Sequence, residues 1–278
     1  MNLGPVHVVV DHRFELGENP LWDDRRGVLF WTDIDAGELW RYDPKADQAE
    51  RIYRGPKVGG FTLQDNGSLL LFRVDDLAIF DPDSEAGASP MTPFEDPLAE
   101  RFNDVIALPD GSAYAGTIAS RPSSGGLFHV GLDGTIECLF RGTDVSNGMA
   151  VLDAGRGLLW TDSTAGQIVR FTRDPETNRL SGSTTLYQST QNEGVPDGLA
   201  RDRRGRIWSA RWDGGCVAVH APDGEVIGRI EVPTSRVTSV AFGGDDLATL
   251  YITTSQGPVY ALAPEVRGFT ELRTRMGV

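Results

Sequence analysis

Six positions at a regular interval along the chain carry residues that could meet at one site. We call them the leading residues, and their successive spacings are 42, 43, 44, 50 and 42 residues. They are Glu18, Gly60, Asn103, Asn147, Asp197 and Ser239. Two carboxylates and two amides among them offer only oxygen donors. Such a set suits a hard divalent cation such as Ca²⁺, Mg²⁺ or Mn²⁺, and the two carboxylates would offset its charge.

The pairs Asn147-Gly148 and Asp197-Gly198 have a second interpretation, because these dipeptides are also typical of tight hairpin turns. Their place in the repeat favours the first interpretation. Asn66-Gly67 follows its own leading residue by six residues, where a turn between two strands is expected. Asn147 and Asp197 are leading residues themselves, so the site interpretation is preferred and the turn interpretation stays open.

Each leading residue stands in front of a pattern that predicts short strands. After Asn147, apolar stretches at 149–152, 158–160 and 168–171 are separated by turn residues. A further strand fits in front of each leading residue, for example at 51–54, 136–140, 184–188 and 225–232. Six repeats of four antiparallel strands predict an all-β fold, a six-bladed β-propeller whose innermost strands bring the leading residues to one mouth of a channel.

The ends of the chain predict how the ring of blades closes. The last repeat shows three clear strands, and residues 6–11 supply a spare one. We expect this N-terminal strand to complete the last blade. Because the repeat is not interrupted by a linker, residues 1–278 are expected to form a single domain.

Composition limits the partners of the protein. The formal net charge is −14, which argues against nucleic acid or an anionic membrane as a partner. The sequence has no apolar run near 18 residues and no signal-like start, so we expect a soluble cytoplasmic protein. Nothing in the sequence indicates an obligate protein partner.

Five short motifs in order resemble the SMP-30/gluconolactonase/regucalcin family, a group of six-bladed propeller sugar lactonases. The resemblance covers nearly the whole chain. The motifs are Gly17-Glu18-Asn19-Pro20, Arg101-Phe102-Asn103-Asp104, Ser146-Asn147-Gly148, Pro196-Asp197-Gly198 and the stretch VTSVAFGG…LATLYITTS from Val237 to Ser255.

The resemblance implies roles for individual residues. Glu18, Asn147 and Asp197 would be the metal ligands, Asn103 would contact metal-bound water or substrate, and Arg101 would hold substrate oxygens. The cofactor would be one divalent ion, and calcium, zinc, manganese, magnesium and iron all remain open. The sequence departs from the family at Ser120-Arg121-Pro122, where a relative such as regucalcin has a glutamate.

These observations predict metal-assisted hydrolysis of a small-molecule sugar lactone to the open-chain acid. Asp197 is the best candidate for the general base, because one carboxylate oxygen could bind the ion while the other takes a proton from water. No Gly-x-Ser-x-Gly nucleophile motif is present. Two alternatives remain: a calcium-binding regulatory propeller without catalysis, and a protein-interaction scaffold, which gives no reason for Glu18, Asn147 and Asp197 to share a mouth.

Arginines near the ends of the second strands suggest the charge of the substrate. Counting 13 to 15 residues from the leading residues places Arg73 and Arg211 at the same mouth as Arg101, with Arg121 just beyond the counted position Thr117 on its loop. Because arginine binds carboxylates in a bidentate geometry, we hypothesise an anionic aldarolactone, held by Arg121 or Arg211. The alternative is that Arg73 and Arg211 form ordinary surface ion pairs with Asp75, Asp76 or Asp213.

Overall fold

The computed structural model describes residues 4–277, and nearly all of their regular structure is β. The helical element among these residues is a 3-10 turn at Asp153–Gly155, so they contain no helix long and apolar enough to cross a membrane. The strands are β1 (His7–Asp23), β2 (Val28–Asp33), β3 (Glu38–Asp43), β4 (Gln48–Arg54), β5 (Val58–Leu63), β6 (Leu69–Arg73), β7 (Asp76–Phe80), β8 (Ser89–Pro93), β9 (Ala99–Ala107), β10 (Ala113–Ala119), β11 (Gly125–Val130), β12 (Ile136–Thr143), β13 (Ser146–Leu152), β14 (Gly157–Asp162), β15 (Gln167–Arg173), β16 (Leu180–Gln188), β17 (Val195–Arg201), β18 (Ile207–Trp212), β19 (Cys216–His220), β20 (Val226–Glu231), β21 (Val237–Gly243) and β22 (Thr249–Leu262).

Four sheets of the propeller share one design. Each has four antiparallel strands that neighbour one another in chain order, starting with β5, β9, β13 and β17 respectively. These first strands contact each other in succession, and the series continues through β21 and β1 back to β5. The inner strands therefore surround a central channel, as in other propellers.

The predicted division into six separate four-stranded blades is wrong, because residues 4–277 form five sheets. The fifth sheet has six strands in the order β21-β22-β1-β2-β3-β4. Its cause is β1, a strand of 17 residues that pairs along its first part with β22, from His7 to Leu16, and along its second part with β2, from Gly17 to Asp23. Continuous pairing along β1 thus joins the last repeat and the first repeat of the chain into one sheet. The predicted pairing of the N-terminal strand with the last repeat is observed.

The core lies between neighbouring sheets. Trp31, Trp160 and Trp208 recur on the second strands, and all three are at most 5% exposed. Trp208 packs edge-on against Phe242 of β21, with ring centroids 5.5 Å apart. Large aromatic side chains at this repeated position bury much apolar area between sheets, which holds the inner strands in place.

The segment after β22 crosses the end of the channel opposite the leading residues. At one side, the N–H of Gly268 donates to the carbonyl of Leu247, 2.9 Å away. At the other side, the N–H groups of Thr274 and Arg275 donate to the carbonyls of Leu63 and Gly111, at 2.8 and 2.9 Å. We call residues 265–277 the C-terminal strap, since hydrogen bonds at both sides fix it across the channel.

Candidate functional site

The leading residues lie where the inner strands are irregular. The pairing register with the second strand shifts at Glu18 in β1, at Asn147 in β13 and between Pro196 and Leu199 in β17. A β-bulge bends its strand and redirects a side chain. The bulge repeats around the ring, so it is the local feature that turns these side chains toward one another.

Glycine after a leading residue allows the inner strands to come close together. A Cβ atom on Gly148 would lie 2.4 Å from the carbonyl oxygen of Asp197, and one on Gly198 would lie 2.1 Å from Oγ of Ser239. Such contacts are too short for any side chain. The Asn147-Gly148 and Asp197-Gly198 pairs belong to β13 and β17, so the hairpin-turn interpretation is wrong.

Two amides of the site are linked directly. Asn103 donates from Nδ2 to Oδ1 of Asn147, at 3.1 Å, and to the carbonyl oxygen of Ser146, at 3.0 Å. The Oδ1 atom of Asn103 accepts a hydrogen bond of 2.6 Å from Nη1 of Arg101. Both asparagines are 5% exposed. The structure therefore brings Arg101, Asn103 and Asn147 together, and for the two asparagines the spacing predicted it.

A residue that sequence analysis missed completes this network. Asn147 donates from Nδ2 to Oγ of Ser163, at 3.1 Å, and that hydroxyl donates to the carbonyl oxygen of Pro196, at 2.7 Å. Ser163 follows the end of β14, so it occupies the rim rather than a leading position. The sequence signal for it was weak, because only its place after a second strand marked it.

The two acids of the site are buried and interact with each other. Burial raises the pKa of Glu18 to about 8, with a further contribution from the negative charge of Asp104. Burial also raises the pKa of Asp197 well above its ordinary value, and Glu18 and Asp104 add to the effect. Within residues 4–277, Oδ1 of Asp197 is buried and has no hydrogen-bond partner.

Asp104 is a third acid close to the first two, and sequence analysis gave it no role. Burial raises its pKa to about 7, although its carboxylate accepts a 2.9 Å hydrogen bond from the N–H of Val105. Arg101 partly offsets this negative charge, since it favours the ionised forms of Glu18 and Asp197. Burial in turn lowers the pKa of Arg101 itself.

These residues fit a divalent cation. The donors are carboxylate and amide oxygens, and within residues 4–277 the buried Oδ1 of Asp197 lacks a hydrogen-bond partner. Among the described residues, no group of three His, Cys, Asp or Glu side chains is arranged to hold a metal. A cation here would therefore depend on the amide oxygens as well as on the two carboxylates.

The arginines predicted at the rim have different environments. Arg73 is buried and pairs with Asp76, with Nε 2.6 Å from Oδ1, as the ion-pair alternative proposed. Arg211 is 1% exposed, donates from Nη2 to Nε2 of His220 at 2.6 Å and lies over the ring of Tyr187. The structure therefore does not bring Arg73 or Arg211 to the acids and amides.

Arg121 differs from the other rim arginines because it is exposed. It stands on the loop between β10 and β11, where its backbone N–H donates to Oγ of Ser124 at 3.2 Å. No ion pair of its guanidinium occurs within the part of the chain that the structure describes. Arg121 is therefore the rim arginine that remains accessible.

The channel continues beyond the site as a cavity of about 550 Å³. Asn19, Asp104 and Ser239 border it on the side of the leading residues, and Phe269 and Glu271 of the C-terminal strap border it on the other. Its volume thus lies behind the acids and amides, and the strap covers its far end.

The fold and the site together define a β-propeller with buried acids and amides at one end of its channel. The sequence profile of the SMP-30/Gluconolactonase/LRE-like region matches residues 16–256, and the chain belongs to this family. The resemblance seen in the five motifs is thereby confirmed.

Characterised relatives resemble the chain over most of its length. Pentonolactonase XacC of Haloferax volcanii is 40% identical over 253 residues, which cover 90% of this chain and 84% of that protein. The 6-deoxy-6-sulfogluconolactonase of Pseudomonas putida is 33% identical over 246 residues, which cover 87% and 84%. The crystal structure of the calcium-binding protein regucalcin of Agrobacterium tumefaciens has a TM-score of 0.91 and 25% identity, with 98% of each chain covered.

Proposed function

We propose that this protein is a lactonase that hydrolyses a sugar lactone to the open-chain acid, with one divalent cation held by Glu18, Asn147 and Asp197. The observation that carries the proposal is the buried Asp197 carboxyl, whose Oδ1 has no hydrogen-bond partner within residues 4–277. The names of the two lactonase relatives support the reaction, and the calcium-binding relative supports a divalent ion. Calcium, zinc, manganese, magnesium and iron are the candidates.

The reaction joins the oxygen of water to the lactone carbonyl carbon and breaks the bond from that carbon to the ring oxygen, which leaves as a hydroxyl. When bound, the cation supplies Lewis acidity for this attack. Asp197 accepts the proton from water at the carboxylate oxygen that does not bind the cation and returns it to the departing ring oxygen. The carboxylate would thus act first as a base and then as an acid.

Arg101 and Asn103 position the substrate in this proposal. The hydrogen bonds that Arg101 makes to Phe102 and Asn103 both use Nη1, and its Nη2 group would then bind the substrate. Its charge stabilises the oxygen that becomes negative during attack, which is worth more in a buried site than in water. Asn103 holds both Arg101 and Asn147 in place through its two amide ends.

The substrate could be either of two lactones that differ in charge. A neutral aldonolactone needs only the groups at the mouth, whereas an anionic aldarolactone needs a cation for its second carboxylate. Of the two arginines predicted for that role, Arg211 packs against Tyr187 and His220, so the anionic alternative depends on the exposed Arg121. The sulfogluconolactonase relative is the observation that keeps this alternative in consideration.

Proton release during hydrolysis tests the proposal. Aldonolactones are assayed before and after chelation and after addition of each candidate ion, with the spontaneous rate subtracted. We expect turnover that chelation abolishes, that one or more ions restore and that Glu18→Gln reduces. Asp213→Asn is the control, because Asp213 pairs with Arg236 on the surface.

A non-catalytic calcium-binding regulator is the second candidate function, and the calcium-binding relative is the observation that favours it. The same experiment separates the two. If the protein binds calcium but shows no metal-dependent turnover on any sugar lactone, the lactonase proposal is wrong and the regulator is preferred.

A further inference from the structure

The hydrogen bonds at the mouth form a chain in which every donor is fixed. Arg101 can only donate, so the atom of Asn103 that it contacts at 2.6 Å must be the oxygen. The carbonyl of Ser146 can only accept, so the atom 3.0 Å from it must be the nitrogen. These contacts settle the orientation of the Asn103 amide. Its nitrogen therefore donates to Asn147.

Ser163 fixes the other end of the Asn147 amide. The single proton of the Ser163 hydroxyl goes to the carbonyl oxygen of Pro196, 2.7 Å away, because that carbonyl can only accept. The hydroxyl oxygen then presents lone pairs to Asn147, and the atom 3.1 Å from it is Nδ2. If the Asn147 amide were inverted, its Oδ1 would face Oγ of Ser163 and its Nδ2 would face Nδ2 of Asn103. Both contacts would then be repulsive.

We infer that Ser163 is a positioning residue for the metal ligand Asn147. It keeps the amide nitrogen toward the rim, so that the oxygen, the only end that can bind a cation, lies on the side of Asn103. The inference rests on the proposed function, because it needs Asn147 to be a ligand. In this role Ser163 contacts Asn147 and Pro196 and acts on the cation only through Asn147.

Loss of the Ser163 hydroxyl should lower the affinity for the cation. Without the hydroxyl, the buried Nδ2 of Asn147 loses its hydrogen-bond acceptor. The inverted amide is then opposed by one repulsive contact, with Asn103, instead of two. Partners that orient metal ligands typically contribute about 10- to 100-fold to metal affinity. Ser163→Ala should therefore weaken cation binding by a factor in that range, whereas Ser163→Thr, which keeps the hydroxyl, should bind nearly as the wild type does.

The chain offers a matched control for this substitution. Ser120 also donates its hydroxyl proton to a proline carbonyl, that of Pro97, at 2.8 Å, and it lies on the rim without contacting Asn147. Ca²⁺ and Mn²⁺ binding are measured by calorimetry on the wild type and on each variant, together with the thermal midpoint of the metal-free protein. Ser120→Ala should leave the affinities for Ca²⁺ and Mn²⁺ unchanged. The thermal midpoints of the wild type and the variants should be similar.

A second background distinguishes positioning from a general structural effect. In Asn147→Asp, both ends of the side chain are oxygen, so inversion no longer matters. Ser163→Ala should then change cation affinity by less than about threefold, because the orienting partner has nothing left to orient. An equal loss in both backgrounds would overturn the inference.

Asn147→Ala separates the inference from the proposed function. If this variant binds Ca²⁺ and Mn²⁺ as the wild type does, or if the wild type binds neither, the proposed site is wrong and the inference falls with it. If Asn147→Ala loses affinity but Ser163→Ala does not, the proposed site stands and only the role of Ser163 is rejected.

Discussion

Asn103 and Asn147 are joined by a hydrogen bond of 3.1 Å that runs between two sheets, from the inner strand β9 to the inner strand β13. The contact means that the site is built across the boundaries of the repeat rather than within one unit. Each repeat supplies one or two polar groups, and the closeness of the inner strands brings those groups into range. Changes that move the sheets relative to each other should therefore affect the site even when they touch none of its side chains.

Asp197→Asn should separate activity from stability. We expect kcat to fall about 10²- to 10⁴-fold, because asparagine cannot accept the proton from water. The metal-free variant should be at least as stable as the wild type at pH 8. The pKa of the Asp197 carboxyl is raised well above its ordinary value, so its ionisation costs folding free energy once the pH exceeds that ordinary value.

Lactone assays and urea unfolding of the metal-free protein at pH 8 measure the two effects. An unchanged kcat would remove Asp197 from the mechanism. A clear loss of stability would instead show that its carboxylate has a stabilising partner, which the structure of residues 4–277 does not contain for Oδ1.

Gly198→Ala tests the closeness of the inner strands. The new Cβ would lie 2.1 Å from Oγ and 2.8 Å from Cα of Ser239, so the backbone of β21 would have to move. We expect a loss of about 1–3 kcal/mol of unfolding free energy and reduced cation affinity. Gly87→Ala is the control, because a Cβ there would meet nothing within 4 Å. Equal stabilities of the two variants in urea unfolding would show that the inner strands adapt more easily than the geometry indicates.

Most of the candidate site could be predicted because its residues occur at one phase of the repeat. Glu18, Asn103, Asn147 and Asp197 all lie on inner strands at the same phase of the repeat, and strand order alone places such positions near the same channel end. The sheet count could not be predicted from the repeat. It depends on whether the pairing of β1 runs on from β22 to β2, and it does so although Asn19 has a positive φ of 47° and Pro20 follows it.

The environments of Arg211, Ser163 and Asp104 could not be predicted from the phase of the strands. Arg211 ends its strand at the predicted position, yet its guanidinium turns to Tyr187 and His220, because a long side chain can reach several neighbours. Ser163 and Asp104 were overlooked for the opposite reason. Each stands one residue outside the pattern, and its importance comes from a contact with another repeat or from burial.

Arg121→Ala tests the anionic-substrate alternative. If an aldarolactone is the substrate, loss of the guanidinium should lower kcat/KM for it about 10- to 100-fold, equivalent to about 1.5–3 kcal/mol, and should change the value for the neutral aldonolactone less than about threefold. Arg179→Ala is the control, since Arg179 pairs with Glu137 on the exposed surface. A wild-type preference for the neutral lactone, or equal effects of Arg121→Ala on both substrates, would reject the anionic alternative.

Glu271 should make the stability of the metal-free protein depend on pH. It lies on the C-terminal strap at the far end of the cavity, and burial raises its pKa to about 7, with Arg273 opposing the shift and Asp104 and Asp24 adding to it. A glutamate whose pKa is raised on folding is ionised more readily in the unfolded chain. Its contribution to stability is therefore lost as the pH rises from its ordinary value of 4.5 toward 7.

Glu271→Gln removes this ionisation, so the variant should gain stability relative to the wild type as the pH rises. We expect similar unfolding free energies at pH 4.5 and an advantage for the variant at pH 8 on the order of 1–3 kcal/mol, since one unit of pKa shift corresponds to about 1.4 kcal/mol. Urea unfolding in the presence of a chelator at the two pH values measures the difference. Glu225→Gln is the control, because Glu225 is an exposed residue between β19 and β20. If both variants follow the wild type at each pH, the carboxyl of Glu271 is solvated and the strap does not bury it.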